Sequence, residues 1–134
     1  MCLSRGRGKP RSVEQTWEPD GIDAAMARRI GENESRFRNA NEKIETAVLR
    51  LEADAPSVPF VCECGRRECY VTLRLKLEEY EQAREHPRRF VCRPGHEITG
   101  PGLERVVLRA DRYVIMEKLG IAGDVAEALD PRSG

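Results

Sequence analysis

The spacing of apolar residues changes near Pro56, and the change divides the chain into two parts. Between Gly21 and Ala53, apolar residues recur at intervals of four and seven, the spacing of one face of an α-helix. Asp20 can cap the start of such a helix and Pro56 ends it, so the sequence predicts a long amphipathic helix over residues 20–55. The apolar residues of its stripe are Ile22, Met26, Ile30, Phe37, Ile44, Val48 and Leu51.

This helix is long for the size of the protein. About 30 helical residues extend about 45 Å, which exceeds the width of a core of about 100 residues. The seven-residue register of Ile30, Phe37, Ile44 and Leu51 suggests a coiled-coil homodimer, or a protein partner, bound through residues 22–51. Because Asn33 and Glu34 interrupt that register, the stripe can instead lie on the protein's own sheet, an interpretation favoured for the second half of the helix.

From Val58 onward the apolar residues alternate with polar ones in short runs, which is typical of β-strands. The predicted strands are 60–64, 70–76, 89–93, 103–109 and 113–118, and the predicted short helices are 77–85 and 122–129. The last two strands form the clearest hairpin. The fold class is therefore α+β: the long helix and the short helices pack against a mostly antiparallel sheet, with residues 58–134 as a small domain.

Charge is balanced over the whole chain but not along it. The 134 residues include 23 Lys plus Arg and 23 Asp plus Glu. Residues 1–19 carry four cations before the first acid, Glu14, among glycines and prolines, which predicts a flexible basic tail. No apolar run approaches the ~18 residues of a membrane span, and the first residues lack the apolar stretch of a secretory signal. We therefore expect a cytoplasmic protein that does not enter a membrane.

Three of the five cysteines are clustered in FVCECGRREC, at Cys62, Cys64 and Cys69. In a reducing compartment such a cluster more often binds a metal than forms disulfides. Alternate strand residues lie ~6.6 Å apart, whereas two sulfurs on a tetrahedral zinc ion lie ~3.8 Å apart. The strand must therefore bend at Glu63, and Gly65 gives the backbone freedom to turn Cys69 back toward the other two cysteines. The pattern predicts a zinc-knuckle-like hairpin.

Three residues compete to be the fourth ligand. His96 ranks first because it follows the tight turn Pro94-Gly95, and Glu97 can orient its ring. Cys92 ranks second, since it lies on a predicted strand where it can also be a core residue. His86 ranks third, since capping the end of a helix explains it equally well. Thiolate and imidazole ligands favour zinc.

Three functions are compatible with these residues. A closed four-ligand zinc site indicates a non-enzymatic regulatory or protein-interaction module. Three thiolates alone would leave an open coordination position, so a metal- or thiol-dependent enzyme is the alternative. Nucleic-acid contact is a weaker hypothesis, because the chain has no net positive charge. The arginines that would make it are Arg66, Arg67, Arg88, Arg89 and Arg93.

Several motifs together resemble a family of small uncharacterised bacterial proteins. The first is RRIGENESRFRNANEKI at residues 28–44, and the second is the CxCxxxxC segment that follows Phe60. The other matching segments are 77–84, 86–90, 94–97, 104–107 and 130–132. The resemblance implies that the three clustered cysteines and the PGHE turn belong to the family pattern and that Cys92 and Cys2 do not, which favours His96. It implies no established activity.

Overall fold

The structure, a computed structural model, describes residues 24–51, 56–66, 68–98 and 102–132. Its helices are α1 (Ala24–Arg50), α2 (Leu77–Ala83) and α3 (Gly120–Ala128). Its strands are β1 (Val58–Val61), β2 (Thr72–Leu75), β3 (Arg89–Cys92), β4 (Glu104–Arg109) and β5 (Val114–Lys118). The α+β prediction is confirmed. The predicted basic tail and the predicted helix start at Asp20 lie outside the described residues.

The described strands form two antiparallel sheets instead of the one that the sequence suggests. β1 pairs with β2, and the second sheet has the order β3-β5-β4. The β4–β5 hairpin predicted from the sequence is present, with a register shift between Val106 and Leu108. Gly102 has a φ of +84° just before β4, a conformation that favours glycine.

The three-stranded sheet lies between two hydrophobic clusters. Val91 and Ile115 face the first cluster, which they share with Phe60 and Tyr80, whose rings stack at 4.4 Å between centroids. Alternate residues of the same strands face the opposite side, because side chains alternate along a strand. On that side these residues pack against Cys62 and Cys64 and against Ala126 of α3. The second cluster consists of Cys62, Cys64, Phe90, Cys92, Val114, Met116 and Ala126.

α1 packs on the domain through a face that is mostly polar. The buried residues of α1 are Gly31, Glu34, Ser35, Arg38, Asn41 and Glu45. They recur every three or four positions, so they form one continuous stripe. Arg38 is fully buried because it donates to the carbonyl oxygens of Pro87 (2.6 Å) and Ala126 (2.7 Å) and lies 4.5 Å from the centroid of the Phe90 ring.

The apolar stripe predicted for this helix is only partly used. In the second half of the stripe, Ile44 and Val48 pack against the first hydrophobic cluster, as predicted, whereas Leu51 is 76% exposed. In the first half, whose packing the sequence leaves open, Met26 is 41% exposed. The predicted dimer through residues 22–51 stays a prediction. No described helix has the length and apolar character needed to cross a membrane.

Candidate metal centre

Two cysteines lie where the chain passes from one sheet to the other. The Cys62 amide donates to the carbonyl oxygen of Val71 (3.0 Å) beside β2, whereas the Glu63 amide donates to the carbonyl oxygen of Val91 (2.8 Å) in β3. Cys62 and Cys64 flank this crossover and are both buried. The chain therefore changes its hydrogen-bonding partner at Glu63, where the cysteine spacing requires a bend.

A turn at Gly65 brings the third cysteine back to the first two. Gly65 has a φ of +79°, and a Cβ at this position would lie 2.6 Å from Cγ of Glu34. Both the backbone conformation and the available space therefore require glycine. The Cys69 amide closes the turn by donating to the carbonyl oxygen of Arg66 (3.1 Å).

His96 approaches the cysteines from the turn that follows β3. Gly95 has a φ of +95°, and the His96 amide donates to the carbonyl oxygen of Arg93 (2.9 Å). This conformation places Nδ1 of His96 3.6 Å from Sγ of Cys62 and 3.5 Å from Sγ of Cys69. The imidazole therefore lies directly against two of the thiols.

We call Cys62, Cys64, Cys69 and His96 the Cys3His group. One ligand atom from each residue lies within 4.8 Å of the ligand atoms of the other three, which is close enough for the group to hold a metal ion. Sulfurs bound to the same zinc ion are ~3.8 Å apart, so the observed spacing is near that of a tetrahedral site. The structure thus brings together the four residues that the sequence ranks first.

The two alternative fourth ligands are not part of the Cys3His group. Cys92 is fully buried in the second hydrophobic cluster, where its Sγ lies 3.2 Å from Sδ of Met116. It is also close enough to Cys62 to hydrogen-bond with that thiol. His86 is exposed after α2, and its carbonyl oxygen accepts from the Arg89 amide (3.2 Å). Cys92 is therefore a core residue beside the Cys3His group, and His86 is a surface residue.

Backbone amides point at two of the sulfurs. The Arg93 amide donates to Sγ of Cys62 (3.2 Å), and the Cys64 amide also hydrogen-bonds to that sulfur. The Arg66 amide hydrogen-bonds to the sulfur of Cys64. Each of these bonds favours a thiolate over a thiol. The backbone is therefore arranged to accept negative charge on the sulfurs.

Crowding and burial oppose that charge. The hydrogen bond with Cys64 lowers the pKa of Cys62, but contact with Cys92 and burial outweigh it and raise this pKa to about 12. The hydrogen bond with Cys62 and burial likewise raise the pKa of Cys64. Coordination to a cation reverses this preference, because a metal-bound thiol loses its proton. Whether the sulfurs of the Cys3His group carry negative charge therefore depends on a bound cation.

The imidazole is held in the form that binds metals. Burial lowers the pKa of His96, and the positive charges of Arg66 and Arg93 lower it further, against the opposing charge of Glu97. A lowered pKa keeps the ring neutral near neutral pH, and a neutral ring nitrogen can donate its lone pair to a metal.

Glu97 does not contact the imidazole in the way that the sequence predicts. Its Oε1 accepts from the Gly95 amide (2.7 Å), and its Oε2 accepts from NH1 of Arg109 (2.8 Å). Both carboxylate oxygens are therefore used to hold the turn and to join it to β4. Glu97 positions the backbone that carries His96 instead of orienting the ring directly.

The structure describes four of the five arginines predicted to contact phosphate, and two of these four pair with acids of the same chain. Arg88 pairs with Asp124 (2.8 Å) and Glu127 (2.9 Å), and Arg89 pairs with Glu117 (3.1 Å). Arg66 and Arg93 are exposed near His96, and Arg67 lies outside the described residues. Two of the five predicted phosphate contacts are thus neutralised by acids of the same chain.

Sequence reasoning missed Asn41, and it placed a bend at Glu63 without foreseeing the hydrogen bond between these two residues. Asn41 of α1 and Glu63 are fully buried and hydrogen-bonded to each other (2.7 Å). The signal for Asn41 is its place on the helix, three residues after Arg38 and seven after Glu34. Polar residues at helical spacing mark a buried polar face when they have partners.

The Gly65 turn gives a direct test of this geometry. We expect Gly65→Ala to lower the free energy of unfolding by ~1–2 kcal/mol for the backbone conformation, and by a further ~1–3 kcal/mol for overlap with Glu34. Gly95→Ala is the matched control, because Gly95 also has a positive φ but no atom within 4 Å of its Cβ position. Urea unfolding measures both variants. Equal losses would show that α1 does not press on the Gly65 turn.

Comparison of the chain with protein-family models, with curated proteins and with solved structures finds no match.

Proposed function

We propose that the Cys3His group binds one structural zinc ion and that the chain is a non-enzymatic regulatory or protein-interaction module built around it. One observation carries the proposal: three cysteines and a histidine from two separate turns place their ligand atoms within 4.8 Å of one another. Three thiols and an imidazole at this spacing are a familiar ligand set for structural zinc.

The chemistry of the ligands supports zinc over harder divalent ions. Thiolates and imidazole suit zinc, whereas magnesium and calcium prefer oxygen ligands. Three thiolates around a divalent ion leave a net charge of minus one, and the positive charges of Arg66 and Arg93 act on the same site. These arginines therefore stabilise the metal-bound form, which is a simpler role for them than phosphate contact.

The number of ligands supports a structural site over a catalytic one. Four protein ligands fill a tetrahedral shell and leave no position for water or substrate. The enzyme alternative requires His96 to be outside that shell, yet its Nδ1 lies 3.5 Å from Sγ of Cys69. A closed site contributes folding free energy and a rigid surface, which favours a module that acts through binding.

Metal analysis of the purified chain tests the proposal. We expect the wild-type protein to retain about one zinc ion after dialysis, and we expect His96→Ala to weaken zinc binding by more than the ~10–100-fold typical of residues outside the ligand shell. His86→Ala is the matched control, because the chain has only two histidines and His86 is exposed outside the Cys3His group. The measurements are metal content by mass spectrometry and zinc affinity by chelator competition.

Two results would contradict the proposal. If the wild-type chain bound no zinc, the Cys3His group would be a cluster of reduced thiols. If His96→Ala bound zinc as tightly as His86→Ala, the fourth ligand would not be His96, and the enzyme alternative with an open coordination position would be supported instead.

A further inference from the structure

Residues 61–65, which we call the ligand segment, contact the Cys3His group and α1 alternately. Cys62 and Cys64 contribute their sulfurs to the Cys3His group. The residues between and beside them, Val61, Glu63 and Gly65, all contact α1. Val61 makes this contact through its backbone, Glu63 through its carboxylate and Gly65 by close packing against Glu34. The segment is therefore held between the metal ligands on one side and the long helix on the other.

Asn41 of α1 makes the closest contacts with this segment. Its Oδ1 accepts from the Val61 amide (2.8 Å), and its Nδ2 donates to the Val61 carbonyl oxygen (2.9 Å). The two bonds occupy the edge of β1 as a neighbouring strand would. The same Nδ2 donates to Oε2 of Glu63 (2.7 Å), whose Oε1 accepts from the Val91 amide of β3 (2.9 Å). Asn41 therefore fixes both residues that adjoin Cys62.

A second contact lies two helical turns earlier in α1. The side chain of Glu34 passes so close to Gly65 that no Cβ fits between them. Glu34 is itself held by Lys118 of β5, whose Nζ lies 2.6 Å from its Oε2. The turn that follows Cys64 therefore rests on a helix residue that is anchored to the sheet.

We propose that α1 and the metal ion bind the ligand segment cooperatively, with Asn41 as a positioning residue for Cys62 and Cys64. The inference rests on the proposed zinc site and adds a structural response to it. Coupling between two binding events is reciprocal. If docked α1 increases the affinity for the metal, the metal stabilises the docking of α1 by the same factor. Loss of the metal therefore loosens α1 from the domain.

The first test compares two asparagines of the same helix. We expect Asn41→Ala to weaken zinc binding by ~10–100-fold, the usual effect of removing a residue that orients metal ligands. Asn39→Ala is the matched control, because Asn39 is exposed on α1 and should leave the affinity unchanged. Substitution by Co²⁺ adds a spectroscopic signature: the visible absorption bands of the tetrahedral ion should change in Asn41→Ala and not in Asn39→Ala. A general loss of stability would not alter these bands.

The second test uses the wild-type chain and does not depend on the folding of any variant. Hydrogen exchange is measured, with zinc bound and after chelation, for the α1 amides that exchange through local opening of the helix. We expect their exchange to accelerate by ~10-fold or more on chelation, because the helix then undocks more readily. Exchange in β4 reports the loss of global stability that chelation also causes. Unchanged exchange of the locally opening α1 amides would overturn the inference.

The two proposals fail in different ways. If the wild-type chain bound zinc but Asn41→Ala and Asn39→Ala bound it equally, the coupling would be excluded and the zinc site would stand. Unchanged exchange in α1 after chelation would have the same meaning. If the wild-type chain bound no zinc, both proposals would be overturned.

Discussion

Cys64→Ser is expected to lower the free energy of unfolding by ~4 kcal/mol, which is the stabilisation given by a ligand present at about a thousand times its dissociation constant. In a domain of this size the loss corresponds to a decrease of roughly 15 °C in Tm. The reason is that an ion bound by the folded chain and not by the unfolded one stabilises the fold, and loss of one ligand removes that stabilisation. Without a bound ion, Cys62 and Cys64 are two buried thiols with raised pKa values.

Thermal unfolding with saturating zinc measures this effect, and Cys92→Ala is the control. Cys92 is buried in the same cluster but lies outside the Cys3His group. Its truncation should cost ~1 kcal/mol through a small cavity and should leave zinc bound. Chelation should lower the Tm of the wild-type chain and of Cys92→Ala alike, but leave Cys64→Ser unchanged. If chelation had no effect on the wild-type Tm, any ion bound by the chain would not be structural.

The secondary structure of the domain could be predicted because its elements are short and strongly patterned. The helix predicted at 77–85 is α2 (Leu77–Ala83), and the strand predicted at 89–93 is β3 (Arg89–Cys92). Alternating residues in β3 face two different hydrophobic clusters. Because the strand is buried on both sides, its signal in the sequence is a short continuous apolar run, Phe90 to Cys92, between Arg89 and Arg93.

The composition of the metal centre could also be predicted, for local reasons. Gly65 and Gly95 both adopt a positive φ, and each lies in a turn beside a ligand. Glycine turns of this kind can be recognised without knowledge of the tertiary fold. From the sequence, His96 could be ranked first as the fourth ligand. Its approach to Cys69 depends on how β3 aligns with the ligand segment, and that alignment is a property of the tertiary fold.

The packing of α1 could not be predicted, because hydropathy says little about paired polar groups. Arg38 is buried only because the carbonyl oxygens of Pro87 and Ala126 accept its hydrogen bonds. These partners lie 49 and 88 residues away in the sequence. A pattern of apolar residues therefore emphasised Met26 and Leu51, which are exposed. Polar burial depends on distant partners, so it becomes visible only in the fold.

The buried polar face of α1 includes Glu34, and its partner Lys118 gives the second large predicted effect on stability. We expect Lys118→Met to lower the free energy of unfolding by ~3–5 kcal/mol, the usual result of removing one partner from a buried ionic group. Lys118 is fully buried and pairs with both Glu34 (Nζ to Oε2, 2.6 Å) and Glu104. Burial raises the pKa of Glu34 to about 8 although Lys118 lowers it. At neutral pH the three groups therefore have little net charge, and loss of the ammonium leaves negative charge without compensation.

Urea unfolding measures this loss, and Lys43→Met is the matched control. Lys43 is an exposed lysine of α1, so its substitution should change stability by no more than ~0.5 kcal/mol. Equal stability of the two variants would mean that α1 does not depend on Lys118 for its attachment to the sheet.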